Sequence, residues 1–346
     1  MQARAVVFTA CGIVEFKEVS CPDPGPGDLV IDVTHSWISN GTEGSFLRGE
    51  RLAGDTARKA GDPLPFPMIA GYQKVGWVRS VGADVRGFAA GDLVFASMSR
   101  VEGMFDNEFA GHVSPSVCRA SFVHRLPEEA EREPEAYCGL VLAQVGFNCG
   151  SRPRMRPGAL AVVVGDGLVG QWTAQTLLDR GARVVMTGRR TDRLAHFRRD
   201  AESVGAADRA HALRAIGTGA EEVAGLEAGP VAVLVDTVGD AGLFDAFLPQ
   251  MEHGGTIVAA GFYGLDGWIE IQRYRYREIA FDLVAGATRE RLDETIERIR
   301  TGRLRTTSLI THRYPVERAA EAWASIEGRT EPTLGVVLEW IREGGR

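Results

Sequence analysis

Three glycines stand directly behind an apolar run: residues 161–164 read Ala-Val-Val-Val, and residues 165–170 read Gly-Asp-Gly-Leu-Val-Gly. That spacing suits the cradling of a pyrophosphate. Gly165 permits a tight turn, Gly167 lets backbone approach the phosphates, and Gly170 lets the following helix pack on the strand, with Asp166, Leu168 and Val169 completing the loop. The helix begins with free N–H groups and the positive end of its dipole, both of which favour an anion. A second apolar run, 182–187, ends 17 residues after Gly170 in Gly188, Arg189 and Arg190. An enzyme using NAD places Asp or Glu at this strand end to accept from the ribose 2′-hydroxyl. Guanidinium groups instead bind a 2′-phosphate bidentately, and a glycine leaves room for it, so the segment predicts NADP(H).

The elements that must position this loop are legible around it. Residues 3–9 and 28–36 have the β-branched content and alternation of strands, and 22–28 form a turn-rich connector. Short glycine-punctuated strands continue to about residue 120. From Pro134 the pattern turns helical, and after Gly158 strands alternate with helices, the signature of a doubly wound parallel sheet. Ligands of such sheets sit at the carboxyl ends of the strands, which adds Thr237, Val238, Gly261 and Phe262 to the expected cofactor residues. Beyond Ala285 lie a charged helix, a strand, a second helix and a last strand, expected to return to the β-rich half. The expectation is therefore α/β, with residues 143–285 as the nucleotide domain and 1–142 with 286–346 as the β-rich one.

Composition narrows the classes. The chain has 346 residues, 45% hydrophobic and 25% charged, with a formal net charge of −7 and no long basic run, so nucleic acid is not an expected partner. No stretch approaches a membrane span, and the first residues enter a strand pattern without a secretory apolar region, which makes the cytoplasm the default address. The five cysteines, at 11, 21, 118, 138 and 149, include no CxxC pair and read for the most part as buried thiols, Cys138 being the one to watch.

The order of a β-rich half, a nucleotide domain and a return resembles the medium-chain dehydrogenase/reductase superfamily along nearly the whole chain. Gly-Asp-Leu-Val at 91–94, the glycine turn with its strand at 157–170, and the segment at 309–323 carry the likeness. It implies a Rossmann domain, a GroES-like catalytic domain, a small-molecule substrate and a homodimer formed through the edge of the nucleotide sheet. Zinc members of the superfamily carry Cys-Gly-Thr/Ser-Asp and Gly-His-Glu segments; here those positions read Asn40, Gly41, Thr42, Glu43 and Gly71, Tyr72, Gln73. Amides and a phenol are poor zinc ligands, and Cys138, near the third ligand position of zinc members, is a single thiolate without partners, so no catalytic zinc is expected; residues 97–118, with Cys118 alone, also lack the four-cysteine lobe of a structural zinc. Residues 36–46 and 66–78 are similar to a narrower zinc-free subgroup with a Gly-Thr-Glu motif, which includes a bacteriochlorophyllide dehydrogenase.

If the superfamily geometry holds, Asn40, Thr42, Glu43, Tyr72 and Gln73 face the nicotinamide. Tyr72 is the expected proton donor, with a pKa that must fall from about 10 for general-base work. Glu43 reads first as an orienting carboxylate and second as a general acid; Asn40 and Gln73 read as oxyanion donors; His35 and His112 as hydrogen-bonded structural residues. Residues 272–278, with three arginines and two tyrosines, read as a solvated or interface segment. The chemistry expected is hydride transfer to the ketone, or from the secondary alcohol, of a sugar, cyclitol or natural-product intermediate. Reduction of activated C=C bonds or quinones, and a non-catalytic NADPH-binding role, stay open beside it.

Overall fold

The computed structural model describes residues 1–215, 217–328 and 331–340. The chain divides into two compact units, one of residues 1–141 with 310–346 and one of residues 142–309.

The first unit is β-rich. Strand Gln2–Ala10 pairs antiparallel with Ile13–Ser20, Met68–Ile69 and Val113–Ser114. A larger sheet runs Val123–Arg125, Leu93–Ala96, Lys74–Val81, Asp28–Trp37, Gly335–Glu339 and Ile310–Pro315, and Ser116–Arg119 also pairs with Asp28–Trp37. Gly335–Glu339 is thus seated between an early strand and its own predecessor. One core of this unit gathers Val6, Phe8, Ile38, Trp323, Val336 and Leu338, and the edge-to-face ring pair Phe8–Trp323 has centroids 5.4 Å apart.

The second unit is a six-stranded parallel sheet in the order Ala210–Arg214, Arg183–Gly188, Leu160–Val164, Val231–Asp236, Met251–Ala259 and Ala280–Leu283. Leu160–Val164 and Val231–Asp236 are buried along their whole length, as strands covered on both faces must be. The chain order reverses between these two neighbours, and the glycine turn leaves the sheet at that switch point.

The expected return to the first unit at Gly286 comes instead at Ile310. The charged helix Arg289–Arg300 and its successor stay with the nucleotide sheet because they are anchored to it. Arg298 stacks on the Phe147 ring at 4.3 Å and pairs with Asp179, while Arg305 clamps the buried Asp200 through two nitrogens at 2.8 and 2.6 Å. The Arg305 carbonyl accepts from Trp172 Nε1 and Gln175 Nε2.

Candidate functional site

In the second unit the helix Leu168–Asp179 starts at Gly167 without any side-chain cap, which leaves its first amides for a ligand. Each glycine of the turn has a separate spatial reason. A Cβ on Gly165, whose φ is +115°, would strike the Thr237 hydroxyl; one on Gly170 would strike the Gly165 carbonyl; one on Gly167 would meet nothing within 4 Å. The first two positions close the turn, and the third is an open cradle.

Thr237 and Val238 follow the strand Val231–Asp236. The Thr237 hydroxyl donates to the Val164 carbonyl at 2.9 Å, so this side chain braces the turn, while Val238 is exposed. Their loop hangs on a residue that pattern reading passed over. Asp236, fully buried, accepts from the amides of Val238 (2.7 Å), Gly239 (3.1 Å) and Asp240 (3.1 Å) and from the Tyr263 hydroxyl (2.7 Å). Burial and the Asp236 charge push the Tyr263 phenol far up, so it stays a donor. Gly261 abuts the Gly239 backbone, where no side chain fits, and Gly239 abuts Phe262 in turn. The loops after two neighbouring strands are thereby locked together. An aspartate ending a buried strand and followed by small residues is the signal that could have revealed this.

At the end of the second strand, Arg189 is exposed and has no ion pair to a described residue, whereas Arg190 is turned to Asp192 at 3.1 Å. Arg193, in the first turn of the helix Thr191–Ser203, lies 3.6 Å from Asp166. Sequence reading counted two arginines and no carboxylate here; the structure adds one of each.

In the first unit, Glu43 belongs to the helix Asn40–Leu47 and is buried. Its Oε1 accepts from the Ser39 amide at 2.7 Å, which satisfies the entry of the helix, and its Oε2 lies 2.9 Å from His112 Nε2. His112 Nδ1 is 2.8 Å from Ser36 Oγ, which accepts from Trp340 Nε1 at 2.9 Å. Indole is only a donor, so one arrangement satisfies every atom: the Ser36 hydroxyl donates to Nδ1 and Nε2–H donates to Glu43. Gly71, at φ +86°, admits the ring, since a Cβ there would lie 2.6 Å from His112 Nε2. Glu43 is held as an orienting carboxylate, and His112 sits in a bend before a strand.

Tyr72 donates to Ser39 Oγ at 2.7 Å. Burial pushes its phenol up to about 12; the bond to Ser39 pulls back and the Glu43 charge adds to the rise. This is the reverse of the lowering that base work needs, so Tyr72 is a donor at neutral pH. Asn40 and Gln73, expected as oxyanion donors, instead donate to the carbonyls of Leu334 (2.9 Å) and Trp37 (3.3 Å). Each amide thereby ties its own segment to backbone through one of its two N–H donors. Cys138 is buried, donates to the Glu135 carbonyl at 3.1 Å, and has its thiol pushed well up by burial. Thr42 and Tyr72 border a small recess whose other walls include Phe46, Leu52, Met68 and Phe109.

A family model described as zinc-binding dehydrogenase matches residues 207–332. The 2-desacetyl-2-hydroxyethyl bacteriochlorophyllide A dehydrogenase of Cereibacter sphaeroides is 26% identical, over 98% of this chain and 99% of that protein. The chain is similar along nearly its whole length to members of the medium-chain dehydrogenase/reductase superfamily, among the relatives of zinc-type alcohol dehydrogenases. Two solved structures share its fold. A zinc-binding dehydrogenase of Sinorhizobium meliloti, bound to NADP, superposes with a TM-score of 0.76 at 18% identity, covering 98% of this chain and 99% of the other. An alcohol dehydrogenase of Escherichia coli CFT073, complexed with NADH, gives 0.81 at 16%, covering 98% and 99%. These likenesses support an oxidoreductase of the dehydrogenase kind. The stretch matched by the zinc-named model contains none of residues 40, 72, 73 and 138.

Proposed function

We propose that this oxidoreductase is zinc-independent and NADP(H)-dependent, and interconverts a ketone and a secondary alcohol on an apolar natural-product skeleton. The observation that carries the reading is the state of Tyr72: where zinc relatives place a metal ligand, this chain holds a protonated phenol against Ser39.

The dinucleotide fits the second unit. Gly167 offers an unobstructed cradle at an uncapped helix start, and Arg189 is available to a 2′-phosphate. When bound, the nicotinamide supplies or accepts the hydride. Zinc does not fit the corresponding positions of the first unit. Asn40 and Gln73 are committed to carbonyls, Tyr72 is held protonated, Cys138 is held as a thiol, and no cluster of three or more His, Cys, Asp or Glu side chains suits a metal among the described residues. Charge on the substrate oxygen is then met by a hydrogen-bond donor. Tyr72 gives its proton to the forming alkoxide, Ser39 holds the phenol in place, and Glu43 holds Ser39. The phenylalanines beside Thr42 and Tyr72 favour the natural-product member of the substrate class over a sugar.

A homodimer is part of the reading. The edge strand Ala280–Leu283 carries the exposed Leu283, and Trp268, Ile271 and Tyr276 are exposed in the preceding segment. Among the described residues no helix is long and apolar enough to cross a membrane.

A panel of apolar ketones and enones, each incubated with NADPH and followed by product analysis, tests the proposal. Secondary alcohols are the expected products. Saturated ketones from the enones, with the ketones untouched, would replace carbonyl reduction by C=C reduction.

A further inference from the structure

The strand end that selects the cofactor contains a carboxylate that does not come from the strand. Asp166 lies inside the glycine turn, and its side chain reaches Gly188: a Cβ built on Gly188 would fall 2.5 Å from Asp166 Cβ and 2.6 Å from its carboxyl carbon. No residue but glycine fits at 188, and the volume a strand-end side chain would fill is taken by this carboxyl group.

Both of its oxygens are engaged. Oδ2 accepts from the Arg190 amide at 2.8 Å, and Oδ1 lies 3.6 Å from Arg193 Nη1, with side chains only 10% and 24% exposed. Gln171 braces the assembly by donating to the Arg193 carbonyl at 2.9 Å and to the Asp166 carbonyl at 3.3 Å. Burial lowers the Arg193 pKa, although a guanidinium remains charged.

We propose that Asp166 is the cofactor-selecting residue of this chain: it does from the glycine turn what a strand-end acid does in NAD enzymes, and competes with a 2′-phosphate for Arg193. The proposal rests on the reading that a nicotinamide dinucleotide occupies the turn. Asp192 balances Arg190 and Asp166 balances Arg193, which leaves Arg189 as the uncompensated charge. The site therefore discriminates less between the two cofactors than its arginines alone would dictate. It accepts NADPH through Arg189 and Arg193, and keeps in Asp166 an acceptor for the 2′-hydroxyl of NADH. A carboxylate a few ångströms from a phosphate, in a partly exposed site, weakens its binding roughly tenfold.

The test is calorimetric titration of the full chain with NADPH and with NADH, for the wild type, Asp166→Asn and Arg193→Gln. Asn keeps an oxygen for the Arg190 amide but removes the charge. Asp166→Asn is expected to tighten NADPH about tenfold and to weaken NADH; Arg193→Gln is expected to weaken NADPH and leave NADH unchanged. A ratio of the two affinities unaltered by Asp166→Asn, or moved toward NADH, overturns the proposal. Should Asp166→Asn not fold, equal losses of both cofactors in Arg193→Gln overturn it instead. A wild type that prefers NADH, with the order reversed in Asp166→Asn, would sustain Asp166 as the selector and remove the NADP(H) assignment; a wild type that binds neither removes both.

Discussion

Removing the Glu43 carboxylate should cost this protein more stability than its small size suggests. Glu43→Ala strips the acceptor from two buried donors, the Ser39 amide and His112 Nε2. An unsatisfied buried donor costs about 1–3 kcal/mol, so the two together put the expected loss at about 4 kcal/mol. Glu43→Gln keeps one acceptor and forces the imidazole to its other tautomer, for about 1–2 kcal/mol. His112→Phe fills the ring volume but orphans Oε2 and the Ser36 hydroxyl. Because Glu43→Ala and His112→Phe destroy the same bond, the double variant should be less destabilised than the sum, by about 1–3 kcal/mol. Equilibrium urea unfolding of all four proteins, with a transition fitted for each unit, measures that coupling. Penalties that simply add, to within about 0.5 kcal/mol, would refute a connected buried network.

Three other outcomes are expected. Arg189→Ala should weaken NADPH binding at least tenfold more than NADH binding; equal losses would remove the 2′-phosphate from Arg189. Tyr72→Phe should lower kcat for ketone reduction by about a hundredfold with NADPH affinity intact. In the wild type the phenol ionises near 12 when folded and near 10 when unfolded, so its contribution to stability is present below pH 10 and lost as the pH rises toward 12. A Tyr72→Phe protein with the wild type's alkaline unfolding profile would show the phenol is not buried as described. Chelator-treated protein should keep its activity with less than a tenth of an equivalent of zinc by elemental analysis, and activity restored only by added zinc would reinstate the metal.

Local spacing carried the glycine turn, because backbone approach to a phosphate demands glycine at fixed offsets, and the alternation of buried strands with helices carried the parallel sheet. What stayed hidden depends on partners far apart in sequence. Glu43 meets His112 across 69 positions and Ser36 meets Trp340 across 304, and no periodicity records such pairs. Asn40 and Gln73 had the right chemistry for an oxyanion, but only tertiary structure places the carbonyls that occupy them. The charged helix Arg289–Arg300 looked foreign to the nucleotide sheet because its amphipathic pattern does not tell which surface it covers; the Arg298 stack on Phe147 decides it. At the strand end, Gly188 showed that the usual acid was missing but not that Asp166 had taken its volume.

The place of Gly335–Glu339 between Asp28–Trp37 and Ile310–Pro315 bears on how the protein is made. Domains generally fold as units while the chain leaves the ribosome, N-terminal regions first. Here the N-terminal unit cannot do so: its central strand acquires its last partner, and Ser36 its indole donor, some 300 residues later. The nucleotide sheet is contiguous and can form while the earlier strands wait with an open edge. During synthesis that edge is open to pairing with a neighbouring nascent chain.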